Sequence, residues 1–274
     1  MEKKKINLLN EEIIYVEENT GKPKVLFLHG FNSSYNFANQ VYRLENRNYD
    51  IVAFDFPGCG ESSNNNEISV ELYQKISEEF IKQTNINFDL VIGHSLGGAS
   101  ALYLLNKNYV KKALLAAPIN YNILNTIAKE TINQSIERLQ KWLLPSNIED
   151  ATDSSNNLVY KEKNNYKKNI SKIASVFLKL SQNKEKYFAK IVRHQIINPE
   201  FLKKEIKNLY KENKDYEFIT GINDLFVPFL SVAKIANEYN KNIIGIKDCG
   251  HALFFEKPQE INDKINSLVY QLNE

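Results

Sequence analysis

Leu90-Val91-Ile92-Gly93-His94-Ser95-Leu96-Gly97-Gly98-Ala99-Ser100-Ala101-Leu102 is the stretch on which the fold turns. Leu90–Ile92 reads as a buried strand and Ala99–Leu105 as a helix, with only the turn Gly93–Gly97 between them. A strand that runs at once into a helix forces the central residue of the turn into a strained backbone conformation and exposes its side chain. Side chains two residues to either side would collide, which accounts for Gly93 and Gly97. Gly98 leaves room where the helix meets the sheet. The helix N-terminus also sets backbone amides and a positive dipole end beside the Ser95 hydroxyl. The G-x-S-x-G pattern in this context predicts Ser95 as a nucleophile, with the Leu96 N–H as one donor to a developing oxyanion.

Along the rest of the chain, short apolar runs alternate with longer segments of helical period. Strands are expected at Lys24–His29, Asp50–Asp55, Asp89–Gly93, Lys111–Ala117, Tyr216–Thr220 and Asn242–Ile246, with an edge strand at Ile13–Val16. Helices are expected near Ser69–Thr84, Leu96–Asn106, Val232–Asn240 and Pro258–Leu272. Buried strands separated by helices predict an α/β fold with a mostly parallel sheet covered on both faces.

The alternation stops between Pro118 and about Lys214. Residues 122–144 carry Ile123, Ile127, Ile136, Leu139 and Leu143 at mostly helical spacing, interrupted at Thr131, and a second helix is expected over Lys168–Val192. Pro145–Asn169, rich in Ser, Asn, Lys and acids, is expected to be a mobile loop. A helical insertion between two strands of one sheet, forming a lid, is the simplest organisation; the alternative is that these helices extend the core.

A serine hydroxyl needs a neighbouring base at neutral pH. The chain has four histidines. His94 lies in the turn and would point away from the hydroxyl, His29 ends a strand, and His194 reads as a surface residue of the insertion. His251, in Asp248-Cys249-Gly250-His251 after the last strand, sits where loops converge at the carboxyl edge of an open α/β sheet. A carboxylate must hold that imidazole in one tautomer. Asp224 is the one acid in the loop Thr220–Pro228 and is preferred over Asp248, which is too near His251 in sequence to reach its far nitrogen easily. The second oxyanion donor is assigned to the Phe31 N–H, in the loop after the Lys24–Leu28 run. The order Ser95, Asp224, His251 is that of α/β-hydrolases.

Five blocks, in order, carry a family resemblance: His29-Gly30-Phe31, the turn Asp55-Phe56-Pro57-Gly58-Cys59-Gly60-Glu61-Ser62, Gly93-His94-Ser95-Leu96-Gly97-Gly98, Gly221–Pro228, and Gly250-His251 with Glu256 and Pro258. Together they resemble the capped α/β-hydrolase superfamily of the serine esterase/lipase type. The resemblance implies a core of residues 1–118 and 214–274 and a helical cap over residues 119–213. It implies hydrolysis of a small-molecule or lipid-derived carboxylic ester through an acyl-enzyme on Ser95, with no metal or organic cofactor. The same triad serves C–C bond, thioester and peptide hydrolysis in relatives of this fold. A non-enzymatic binder that kept the fold would usually have lost a triad member, and here all three are present.

Bulk properties agree with a packed enzyme. Of 274 residues, 43% are hydrophobic and 25% charged, which suits a folded domain with an insertion. Lys plus Arg number 35 against 33 acids, a net +2, so overall charge makes no case for nucleic acid or an anionic membrane as the main partner. The lysines after Met1 are not followed by an apolar segment, and no run reaches a spanning length of about 18 residues. A cytoplasmic protein is expected. Cys59 and Cys249 cannot build a disulfide framework and are expected as reduced thiols near the carboxyl edge.

Overall fold

The apolar runs lie side by side. In the computed structural model, which describes residues 1–160, 164–211 and 214–274, eight strands form one sheet. They are β1 (Glu2–Leu8), β2 (Glu11–Glu17), β3 (Lys24–Leu28), β4 (Asp50–Phe54), β5 (Leu90–His94), β6 (Lys112–Ala116), β7 (Tyr216–Gly221) and β8 (Ile243–Ile246). Their spatial order is β1-β2-β4-β3-β5-β6-β7-β8. The β1/β2 and β2/β4 pairs are antiparallel and the rest parallel. Every residue of β4, β5, β6 and β7 is buried, because strands covered on both faces have no solvent side that would demand alternation. The helix Val70–Thr84 packs on Gly97–Asn106, while Asn39–Tyr42 packs on Leu253–Glu256 and Pro258–Asn273, so helices cover both faces.

The N-terminus departs from the sequence expectation of one edge strand at Ile13–Val16. Residues 2–17 form a complete hairpin, with Glu2 paired to Glu17 and Leu8 to Glu11. Leu9 and Asn10 turn it at φ of 49° and 66°, the two-residue geometry that matches strand twist. β1 reads Glu2-Lys3-Lys4-Lys5-Ile6-Asn7-Leu8 and is held by ladder hydrogen bonds and ion pairs such as Lys4–Glu17 at 2.8 Å. Apolar burial, the signal used to find strands, is nearly absent from it.

The segment between β6 and β7 is helical, as expected, but its internal divisions differ. Residues 122–130 are turns, and the first helix is Ile132–Leu143. Thr131, the residue that interrupts the apolar stripe, is its N-cap: it accepts from the Gln134 amide while Gln134 reaches back to the Thr131 N–H, a capping box. The expected mobile loop over Pro145–Asn169 is mostly ordered helix, Ile148–Leu158, followed by Asn164–Lys168; part of that expectation, residues 161–163, lies outside the described residues. Asn147 caps the first of these by accepting from the Asp150 amide, and Glu149 and Asp150 favour its positive end. Its buried face is Ala151, Ser154 and Ser155, residues small enough for close packing on the long helix Ile170–Ile191. A polar composition there signals a tight helix contact, not a solvated loop.

The turn at Ser95 is held by steric limits on its glycines. A Cβ at Gly93 would lie 2.7 Å from the Ala101 Cβ, the Gly97 carbonyl oxygen and the Gly98 Cα, and a Cβ at Gly97 would overlap the Leu28 and His29 carbonyls. Gly93→Ala is therefore expected to cost about 1–3 kcal/mol, the range for overpacking a filled site, read as a lower urea midpoint with an unchanged slope.

Candidate active site

Ser95 sits at the tip of the turn between β5 and the helix Gly97–Asn106 with φ 51°, the left-handed region that L-residues avoid. Its amide donates to the Ala116 carbonyl at 2.9 Å, and its own carbonyl accepts from Gly98 at 3.0 Å and Ile119 at 2.9 Å. The strain is thus fixed by β6 on one side and the helix on the other, and the hydroxyl faces a cavity shared with His251.

The last two strands deliver the other expected groups. Asp224 and His251, from the loops after β7 and β8, are both buried. His251 Nδ1–H donates to Asp224 Oδ2 at 2.7 Å. The other Asp224 oxygen, Oδ1, accepts from the Phe226 and Val227 amides at 2.8 and 2.9 Å, which fixes the carboxylate's orientation and leaves His251 Nε2 as the free ring nitrogen. Phe226 then stacks on the imidazole, centroids 5.2 Å apart at 23°. Asp248, the rival acid, lies in the turn that follows β8 with φ 52°, and the His251 ring nitrogen is bonded to Asp224 instead.

The cavity holds about 320 Å³. Gly30, Phe31, Asn32 and Ser33 form its wall on the β3 side, and Ser95, Leu96 and His251 its floor. The helical segment between β6 and β7 contributes an apolar roof that includes Leu139, Trp142, Leu158, Ile173 and Phe177. Ser154 and Ser155 also face it, but their hydroxyls already donate to the Trp142 and Ala151 carbonyls, so the site's polar groups gather at the Ser95 end. The Leu96 N–H lies at the start of a helix, where the first amides have no intrahelical acceptor.

Three further residues hold this arrangement. His94 Nε2–H donates to the His251 carbonyl at 3.1 Å, and its ring stacks on Phe37 at 4.5 Å, so the residue before the serine braces the backbone of the histidine loop. Burial, and then the neighbouring His251, hold the His94 imidazole well below the ordinary histidine value. His29 Nδ1–H donates to the Gly30 carbonyl at 2.7 Å while Nε2 accepts from the Phe56 amide at 3.0 Å, which locks the loop before Phe31 onto the next turn. Glu256 accepts from Gly250 N–H at 2.9 Å and from Tyr160 N–H at 3.0 Å. Sequence reasoning gave His29 a structural place and quoted Glu256 as part of a motif, but it missed the brace from His94. The signal for it was a histidine beside the strained serine, with no chemistry of its own to do there.

The Asp55–Ser62 turn acts in the same way. Asp55 Oδ1 accepts from the Tyr35 amide at 2.7 Å and Oδ2 from the Glu61 amide at 2.9 Å, and burial pushes its carboxyl above the ordinary value. Cys59 and Cys249 are both buried. Burial pushes the Cys59 thiol up to about 11 and the Cys249 thiol higher still, so both are poor nucleophiles. Among the described residues, no group of three or more His, Cys, Asp or Glu is placed to hold a metal ion, and no helix is long and apolar enough to cross a membrane.

Residues 25–264 match the alpha/beta hydrolase family. The chain belongs to that family. It is 27% identical over 281 residues to the Mycoplasma genitalium protein named "Putative esterase/lipase 2", covering 96% of this chain and 98% of that one. Among solved structures it is similar to an esterase from Exiguobacterium antarcticum, with a TM-score of 0.74, 20% identity and coverage of 97% and 98% of the two chains. It is equally similar in fold to a meta-cleavage product hydrolase, TM-score 0.77 at 15% identity over 98% of each chain. Chains of one fold thus carry different hydrolase names, and the fold alone does not choose between them.

The two inner histidines set an acid limit on the fold. His29 is held down at about 4, chiefly by burial, and His94 is also depressed, whereas an unfolded histidine takes a proton near pH 6.5. The unfolded chain binds more protons below that value, so stability is full above about pH 6.5 and declines as pH falls toward 4. The His29 share is up to about 3 kcal/mol from its shift. Urea unfolding between pH 7 and pH 5.5, where ordinary carboxylates stay ionised, should show the start of this decline, and His29→Gln, which keeps an acceptor for Phe56, should lessen its slope.

Proposed function

We propose that the protein is a serine hydrolase of carboxylic esters in which Ser95 is the nucleophile, His251 the base and Asp224 the residue that orients it. The observation that carries this reading is the buried 2.7 Å bond from His251 Nδ1 to Asp224, with Ser95 held at φ 51° on the same cavity. Asp224 keeps the proton on Nδ1, so Nε2 has its lone pair available to the serine hydroxyl. The names of its relatives, esterase/lipase among them, agree with that chemistry.

Ser95 Oγ attacks the ester carbonyl as His251 Nε2 takes its proton. The oxygen that becomes negative is held by the Phe31 and Leu96 backbone amides, donors already fixed by their loops. The tetrahedral intermediate collapses, His251 returns the proton to the departing alcohol, and an acyl-Ser95 remains. A water molecule deprotonated by the same imidazole then repeats the attack and releases the acid. Residues 119–213 serve as a cap over this site, and residues 1–118 and 214–274 as the catalytic core. A cavity of about 320 Å³ falls at the small end of ligand sites, which run from roughly 300 to 1,000 Å³. Its apolar roof suits a short or medium acyl group, and no cofactor is required by any step.

Ser95→Ala should remove labelling by a fluorophosphonate probe and lower kcat/KM on p-nitrophenyl butyrate by at least about 10³-fold, and Asp224→Asn by a comparable factor. Asp248→Asn should leave turnover within about twofold of wild type, within the small effects usual for residues outside a site. Labelling that survives in Ser95→Ala would remove the proposed nucleophile. Faster turnover of a diketone or peptide substrate than of any ester in a parallel panel would move the reaction to another acyl class on the same residues.

A further inference from the structure

The net charge of +2 conceals a marked local asymmetry. Residues 167–191 contain seven lysines and one acid, Glu185, so this segment of the insertion carries a net +6 while the rest of the chain is acidic on balance. The ion pairs of the helix Ile170–Ile191 among the described residues are Lys190 with Glu67 and Glu185 with the following Arg193. Its single acid is therefore already engaged by another cation. Lys172, Lys179 and Lys186 are exposed and carry no ion pair among the described residues.

The same helix shows large apolar side chains to solvent. Val176 is 52% exposed, Leu180 48% and Tyr187 40%. At 3.6 residues per turn, Lys172, Val176, Lys179, Leu180, Lys186 and Tyr187 fall within an arc of about 120°. Apolar and basic stripes thus run side by side on the outer face. The inner face does different work, because Ile173 and Phe177 line the cavity. The adjoining helix Ile148–Leu158 adds Ile148, 49% exposed. It also brings three acids, of which Asp153 accepts from Trp142 Nε1 at 2.6 Å and Asp150 takes part in the capping at Asn147.

We propose that the outer face of Ile170–Ile191 docks on an anionic lipid surface. Charge complementarity selects this occupant: lysines with no ion pair among the described residues, beside Val, Leu and Tyr, match negatively charged headgroups over an acyl layer, as in helices that lie in a membrane interface. A soluble acidic partner would satisfy the lysines but leave the apolar stripe without a stated contact. Docking here brings the cavity roof to the lipid surface, so an apolar substrate reaches the site without crossing water. Peripheral binding of this kind needs no spanning helix, and the chain's small overall charge does not oppose it, since screening confines each lysine's reach to about 8 Å at physiological salt.

The test is co-sedimentation of the full chain with vesicles of phosphatidylcholine alone and of phosphatidylcholine with phosphatidylglycerol. Binding is expected to the phosphatidylglycerol vesicles and to weaken as salt rises. Each lysine near such a surface contributes roughly fivefold, so the triple variant K172Q/K179Q/K186Q should lose about 100-fold in partitioning. V176D/L180D should lose binding at low salt as well, which separates insertion from simple charge attraction. Both variants should keep wild-type turnover of a soluble ester and a wild-type unfolding midpoint. The binding readout needs no catalysis, so it fails or succeeds independently of the ester-hydrolase reading. Equal partitioning of wild type and triple variant, or equal binding to both vesicle types, overturns the proposal. So does self-association of the wild type, lost in V176D/L180D and seen by light scattering without vesicles, because that would assign the face to a second copy of the chain.

Discussion

The left-handed backbone at Ser95 is the constraint around which the molecule is arranged. A residue at φ 51° costs of order 1–3 kcal/mol and persists only where its surroundings over-determine it. Here they do. β6 takes the Ser95 amide, the helix and the Ile119 amide take its carbonyl, and the carbonyls after β3 press so closely on Gly97 that no side chain fits. The parallel sheet supplies those neighbours: β3 and β6 flank β5, and the loops after β7 and β8 arrive at the same edge with Asp224 and His251.

Around that point the polar contacts form two clamps. One joins the loop after β3 to the Asp55–Ser62 turn, through His29 on the Gly30 carbonyl and Phe56 amide and Asp55 on the Tyr35 and Glu61 amides. The other holds the histidine loop, through Asp224 on the ring, His94 on the His251 carbonyl and Glu256 on the Gly250 amide. Each clamp uses buried groups with few alternative partners, and an unpaired buried polar group is costly. The geometry is therefore set by satisfaction of hydrogen bonds as much as by packing.

Much of this was legible in the chain, for reasons that differ by region. The core strands announced themselves because burial on both faces demands continuous apolar runs, as in Leu90-Val91-Ile92, and the glycines of the Ser95 turn because sterics allow little else. The Asp224–His251 bond followed from chain order and reach. β1 was illegible because hydrogen bonds and ion pairs hold it, with little apolar signal. Ile148–Leu158 was misread because Ala151, Ser154 and Ser155 pack through smallness rather than hydrophobicity. Thr131 looked like a defect in a stripe and is the cap that begins a helix. The brace from His94 left one local hint, a histidine beside the strained serine, but its partner is a carbonyl 157 residues away that no local pattern identifies.

Glu256 has one oxygen on the Gly250 amide and the other on the Tyr160 amide, so a single carboxylate grips both the loop of the candidate base and the end of the Ile148–Leu158 segment. Swinging that segment away would strip a donor from a buried anion, a penalty of about 1–3 kcal/mol or more. The molecule therefore resists a hinged opening at this corner.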